Sequence, residues 1–190
     1  YLDTVVFRFI PETERIISAF RAREADVIQP PPFHRTLEGL EALSAEGAAV
    51  RVVAGPVWEH FNFQFGPNNR NPDSMNTSRT FRQAIAHALD RDLLVQESHS
   101  GMVPRPLNGF LQTVIPDASS NPWEIYDHNP ERAAALVEAA CEELERDCAA
   151  SPPKLIFSTT SNGDIRVRWA DLLPDMLAES GIEVELQLED

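Results

Sequence analysis

The chain has 190 residues, 43% hydrophobic and 24% charged, which is enough apolar material for a buried core and excludes a disordered segment. Its 30 acidic and 16 basic side chains leave a formal net charge of -14, a field that repels nucleic acid and anionic membrane surfaces. No stretch approaches the ~20 apolar residues needed to span a bilayer. The sequence opens at Tyr1 with no signal-like segment, so any export signal is expected to lie outside it.

In chain order, Val5 to Ile10 is β-branched and aromatic and ends at Pro11, which predicts a strand. Ile16, Ile17, Ala19 and Phe20 then fall at helical spacing within residues 12–23. A short strand is expected at 26–28, before Pro30, Pro31 and Pro32 forbid regular structure. Leu37, Leu40 and Leu43 predict a helix over 36–45, with Gly47 beyond its end. Two strands follow, at 49–53 and 57–65, split by Gly55 and Pro56. The Asn- and Pro-rich stretch 66–77 is a surface loop. Ser78 can cap a helix whose buried side carries Phe81, Ile85 and Leu89, and Asp90 can cap a short one over 91–97. Residues 100–128 lack periodicity and form a long irregular segment. Asn129 and Pro130 open a helix running to about Leu144. A strand over 154–157, a polar loop over 158–163, a helix over 164–179 bent by Pro174, and a strand over 182–188 complete the chain. The pattern is α/β and contains no internal repeat, so a single domain over 1–190 is the simplest division.

Chemistry-bearing motifs are sparse. No phosphate-cradling glycine loop, nucleophile elbow or His-Glu-x-x-His zinc motif occurs. On one continuous helix the Cα atoms of Cys141 and Cys148 would lie about 10 Å apart. A disulfide needs roughly 4.4–6.8 Å, so two free thiols are expected unless the helix ends or bends between them. His87 and Asp90 are read as helix-end chemistry, a partly exposed histidine and a capping carboxylate. Glu142, Glu143, Glu145 and Asp147 are read as a solvated helix face. In 57–65, alternation puts Trp58, His60, Asn62 and Gln64 on one polar-leaning face and Val57, Phe61, Phe63 and Phe65 on the core face. Glu59 is the exception on the core side, expected at the strand's open end.

The order of these segments resembles that of the family 5 extracellular solute-binding proteins, the group of oligopeptide- and dipeptide-binding proteins. Tyr1-Leu2-Asp3 with the strand from Val5 is similar to the entry into their second large lobe. Ala19 to Val27 is similar to a further block, with Arg23 where a glycine is usual. The fullest match is Phe81 to Asp92, a helix pair preceded by Asn71-Pro72. Asn129 to Ala140 and Gly181 to Leu186 supply two more blocks.

The resemblance implies part of one lobe of a mixed-sheet, type II-like periplasmic binding protein fold, with the other lobe and the remainder of this one absent. It implies an extracytoplasmic protein, periplasmic or anchored as a surface lipoprotein, that serves an ABC importer. Such a protein captures a peptide by lobe closure without covalent chemistry and delivers it to a membrane permease. Family members also take sugars, nickel complexes and haem. No cofactor is implied. Near the lobe junction the resemblance nominates His60 and Asn62 as ligand contacts, with Trp58 on the same face; that face could instead pack on a helix. It also nominates Ser158, Thr159, Thr160 and Ser161 of the polar loop, with Arg166. The same loop could merely supply an N-cap through Asn162 or Asp164, and Trp169 is read as core. Rival readings are a hydrolase using Glu59, His60 or His87, and a sensory domain of the same fold. An apolar face left bare by the absent segments would favour self-association of this chain.

Overall fold

A computed structural model of the chain describes residues 2–30, 34–51, 59–66, 69–99 and 126–189, without the side chains of 34–37, 98, 99 and 164. The contacts divide it into two units, Tyr1–Val53 and Ala54–Asp190. No described helix is long and apolar enough to cross a membrane.

The smaller unit is built on α1 (Thr13–Arg21) and α2 (His34–Ala45). α1 buries Ile17 and Ala19, as its spacing predicts, and α2 buries Leu43. A Cβ on Gly39 of α2 would lie 2.4 Å from Ile17 Cδ1, so the helices approach across that glycine. Arg21 forks onto Glu46 through Nη2 (2.7 Å) and Nε (3.2 Å), and Arg8 pairs with Glu24 at 2.9 Å. The strands expected at 5–10 and 26–28, and the described part of 49–53, join no ladder. Phe7 and Phe9 are 82% and 93% exposed. β-propensity expresses fit to a neighbouring strand, and the described residues offer these segments none.

The larger unit holds α3 (Arg79–Ala88), α4 (Arg91–His99), α5 (Pro130–Glu143), β1 (Lys154–Thr160), α6 (Asp164–Ala178) and β2 (Glu183–Glu189). The expected caps form. Ser78 Oγ accepts from Phe81 N, Asp90 Oδ1 from Leu93 N, and Asn129 Oδ1 from Arg132 N. Fully buried Phe81, Ala84 and Ala88 of α3 belong to one core with Ala133 and Ala140 of α5, where small side chains let the helices approach. β1 and β2 pair in parallel, from Lys154 opposite Glu183 to Thr160 opposite Glu189. Parallel neighbours need a crossover, and α6 supplies it with Leu173 and Leu177 buried. Pro174 sits inside α6, and Gly181 (φ +76°) turns the chain into buried Ile182.

Three local expectations are corrected. His87 is buried, because Asp127 O, distant in sequence, lies 2.8 Å from its Nδ1 and satisfies it. Cys141 and Cys148 are joined in a disulfide, Cα–Cα 6.1 Å, because α5 stops at Glu143 and the chain turns back. Glu145 adopts φ +52° in that turn, and Arg146 N donates to Cys141 O at 2.8 Å. Ser158, Thr159 and Thr160 are not loop but the end of β1, since the threonines continue the ladder opposite Leu188 and Glu189.

Candidate functional site

Residues 59–65 run without joining a ladder, so the described part of the expected 57–65 strand is absent as a strand. The alternation nevertheless persists. Phe61 and Phe63 pack on the core, whereas His60, Asn62 and Gln64 are exposed. Phe65 departs from the core face: it is 55% exposed, with the Arg82 guanidinium carbon 5.0 Å from its ring centre. Trp58 lies outside the described residues.

An open groove of about 980 Å³ lies between this segment and the βαβ unit, near the upper end of the roughly 300–1,000 Å³ range of ligand pockets. Among the described residues, its apolar lining includes Phe61, Phe157 and Trp169. Phe61 meets Phe157 and Trp169 edge to face at 5.4 and 6.1 Å, and Trp169 Nε1 donates to Leu94 O. Trp169 is thus groove wall as much as core.

The groove brings together His60, Asn62, Ser158, Thr159, Thr160 and Arg166. Asn62 Nδ2 lies 3.1 Å from His60 Nε2. Ser161 is not in the lining; its backbone N donates to Glu189 O and continues the β1–β2 pairing. α6 is capped by Gly163 and not through an Asn162 side chain.

Arg166 is the focus of charge. Its Nη2 and Nε donate to the two Glu59 carboxylate oxygens at 3.0 and 3.3 Å, and its Nη1 to Thr160 Oγ1 at 3.3 Å. The hydrogen bond to Glu59, then its charge, holds the guanidinium above its ordinary pKa. A planar fork already gripping a carboxylate is suited to recognising one.

Sequence reasoning missed the second polar wall, in which Asn71, Ser74 and Asn76 face the groove from the turn before α3. Asn71 Nδ2 donates to Lys154 O at 2.7 Å and Asn76 Nδ2 to Gln64 O at 3.3 Å. The density of asparagines in 66–77 was the available signal, but a loop composition does not say which surface the loop faces. Of the hydrolase candidates, Glu59 and His60 both line the groove, with Glu59 held by Arg166, whereas His87 is buried against Asp127 O. Among the described residues no group of three or more His, Cys, Asp or Glu is arranged to hold a metal ion.

Residues 1–190 match the family described as bacterial extracellular solute-binding proteins, family 5, middle. Similar solved structures include NikA from Brucella suis in complex with Fe(III)-EDTA, at 20% identity and TM-score 0.65, covering 95% of this chain and 36% of that one. The periplasmic binding protein DppA from Helicobacter pylori, in complex with peptide STSA, is similar at 18% identity and TM-score 0.58, covering 96% and 32%. The oligopeptide-binding protein from Thermus thermophilus, complexed with a pentapeptide, gives 22% identity and TM-score 0.50 over 61% and 20%. The chain therefore spans about a third or less of these structures. No curated protein sequence matches it.

Proposed function

Because the chain belongs to the family 5 bacterial extracellular solute-binding proteins, whose members are substrate-binding components of ABC importers and not enzymes, we propose that it is part of one lobe of a peptide-capturing protein. The lobe closes with its counterpart over the ligand without covalent chemistry, and the complete protein delivers the peptide to a membrane permease. The observation that carries this reading is the groove itself, a polar-rimmed, apolar-floored cleft with a carboxylate-gripping arginine. Arg166 takes a ligand carboxylate in place of Glu59. His60, Asn62, Ser158, Thr159 and Thr160 supply hydrogen bonds along the cleft, and Trp58 completes the contacts. Peptide held through its backbone and through bridging water tolerates varied side chains. The Cys141–Cys148 bridge supports an extracytoplasmic, oxidising setting. The exposed row Val5, Val6, Phe7 and Phe9 supports self-association of residues 1–190 when they are separated from the rest of the protein.

Native mass spectrometry of the complete protein, purified without denaturation, tests the reading. A ladder of adducts with peptide masses is the expected result. A single non-peptide mass would keep a binding protein but change its ligand. Bare protein that hydrolyses added peptides would overturn capture without chemistry.

A further inference from the structure

We infer that Arg146, which lies outside the groove, is a positioning residue for the groove's amide wall, and that the Cys141–Cys148 disulfide holds it in place. Arg146 stands in the loop between the two cysteines, just past the end of α5. Its Nη1 donates to Asp73 O at 2.6 Å and its Nη2 to Ser151 Oγ at 3.3 Å. Asp73 belongs to the turn that presents Asn71, Ser74 and Asn76. Within it Ser74 N donates to Asn71 O, and Asp73 N donates to Asn71 Oδ1.

Among the described residues that turn is tethered on four sides, one of them α3, whose Arg82 Nη1 donates to Asn76 O at 2.7 Å and Thr77 O at 3.1 Å. Asn71 ties it to Lys154 O of β1, Asn76 ties it to Gln64 O, and Arg146 ties it to the loop after α5. The two arginine tethers are charge-assisted, the stronger class of hydrogen bond, and the one from Arg146 is the one that holds Asp73, between the amides of Asn71 and Asn76. Among the described residues Asn76 Oδ1 is buried without a hydrogen-bond partner, so the turn carries an unsatisfied acceptor. The arginine's own support is also demanding. Glu145 holds a left-handed conformation that disfavours a residue with a Cβ. A cross-link over a sequence separation of seven restricts the alternatives to that turn. The chain of support thus runs from the disulfide, through the Glu145 turn and Arg146, to Asp73 and the amides that line the groove.

Its positional part is independent of the ligand; its consequence for affinity rests on the peptide-capture reading. Hydrogen exchange of residues 71–76 in the complete protein, compared among wild type, Arg146→Ala, Arg146→Lys and Cys141→Ser/Cys148→Ser, provides the test. Exchange there should rise about tenfold in Arg146→Ala and in the double serine variant. It should fall back towards wild type in Arg146→Lys, and residues 133–140 of α5 should be unchanged in Arg146→Ala. Unaltered exchange at 71–76 in Arg146→Ala, or acceleration spread equally over α3 and α5, would overturn the inference. Binding of trialanine, measured in parallel, should weaken with the loosened turn. Faster exchange with undiminished trialanine binding would support the positioning role and count against the amide wall as a peptide site.

Discussion

Phe81 has none of its surface exposed and stands where α3 joins the core shared with α5 and α6. Phe81→Ala should therefore cost about 3–5 kcal/mol in a denaturant titration, from lost transfer energy and the cavity left behind. Phe65→Ala, at a ring already 55% exposed, should cost far less. Ser78 makes two bonds from a buried position, accepting from Phe81 N and donating to Glu143 Oε2. Its alanine variant should lose at least the ~1 kcal/mol typical of an N-cap. Arg166 and Glu59 make opposite predictions on the peptide-capture reading. Arg166→Ala removes the fork and should weaken binding of a free-carboxylate tripeptide about tenfold or more. Glu59→Gln removes the internal competitor and should tighten it. Calorimetric titration of both variants checks the pair, and parallel changes of the same sign would contradict the exchange of one carboxylate for another.

At the scale of elements, the β1–α6–β2 unit carries a pH-sensitive clamp. Lys154 and Glu185 pair across the ladder. Hydrogen bonding and charge from Glu185 raise the lysine above its ordinary pKa, and the bond from Lys154 lowers the Glu185 carboxyl. The depressed carboxylate contributes stability above the ordinary carboxylate range and loses it as pH falls through its lowered value. The raised lysine contributes below its ordinary value and loses that contribution as pH rises through the raised one. Thermal melting should thus separate wild type from Glu185→Gln by a small margin at neutral pH, vanishing in strong acid and strong alkali. High salt should reduce it, because both side chains are solvent-exposed. The elements recoverable from sequence were those whose signals are local. Ser78, the Asn129-Pro130 start and Gly181 each fix a boundary through bonds or dihedrals within a few residues. The polar and apolar sides of 59–64 were legible for the same reason, as was the placement of His60 and Asn62 on the exposed one. What failed was non-local. Val5 to Ile10 carry strand-forming side chains but meet no described partner, His87 is buried by an acceptor 40 residues on, and the Cys141 pairing depended on where α5 stops. The Asn71–Asn76 wall belongs with these, since it is bonded to Arg146 and Lys154, both distant in sequence, as well as to nearby Arg82.

At the scale of the whole molecule, the chain spans about a third of the two solved structures that it matches over nearly its full length. Residues 1–190 expressed alone should therefore bind trialanine weakly, with a Kd well above micromolar, since a second lobe would be needed to enclose the ligand. Submicromolar binding by that piece would contradict the lobe reading. Sedimentation equilibrium should find it heavier than its 21.2 kDa monomer at high concentration, and Phe7→Ser/Phe9→Ser should restore the monomer mass. Trp169 adds a different kind of consequence. Its indole is fixed by a bond to Leu94 O and borders the groove beside Phe61, and the sequence has only three tryptophans. With Trp58 and Trp123 replaced by phenylalanine in the complete protein, its fluorescence would come from that one ring, and a ligand that expels water from the groove should shift the emission towards the blue. The molecule thus carries its own optical reporter of occupancy, readable on the timescale of binding and without any attached dye.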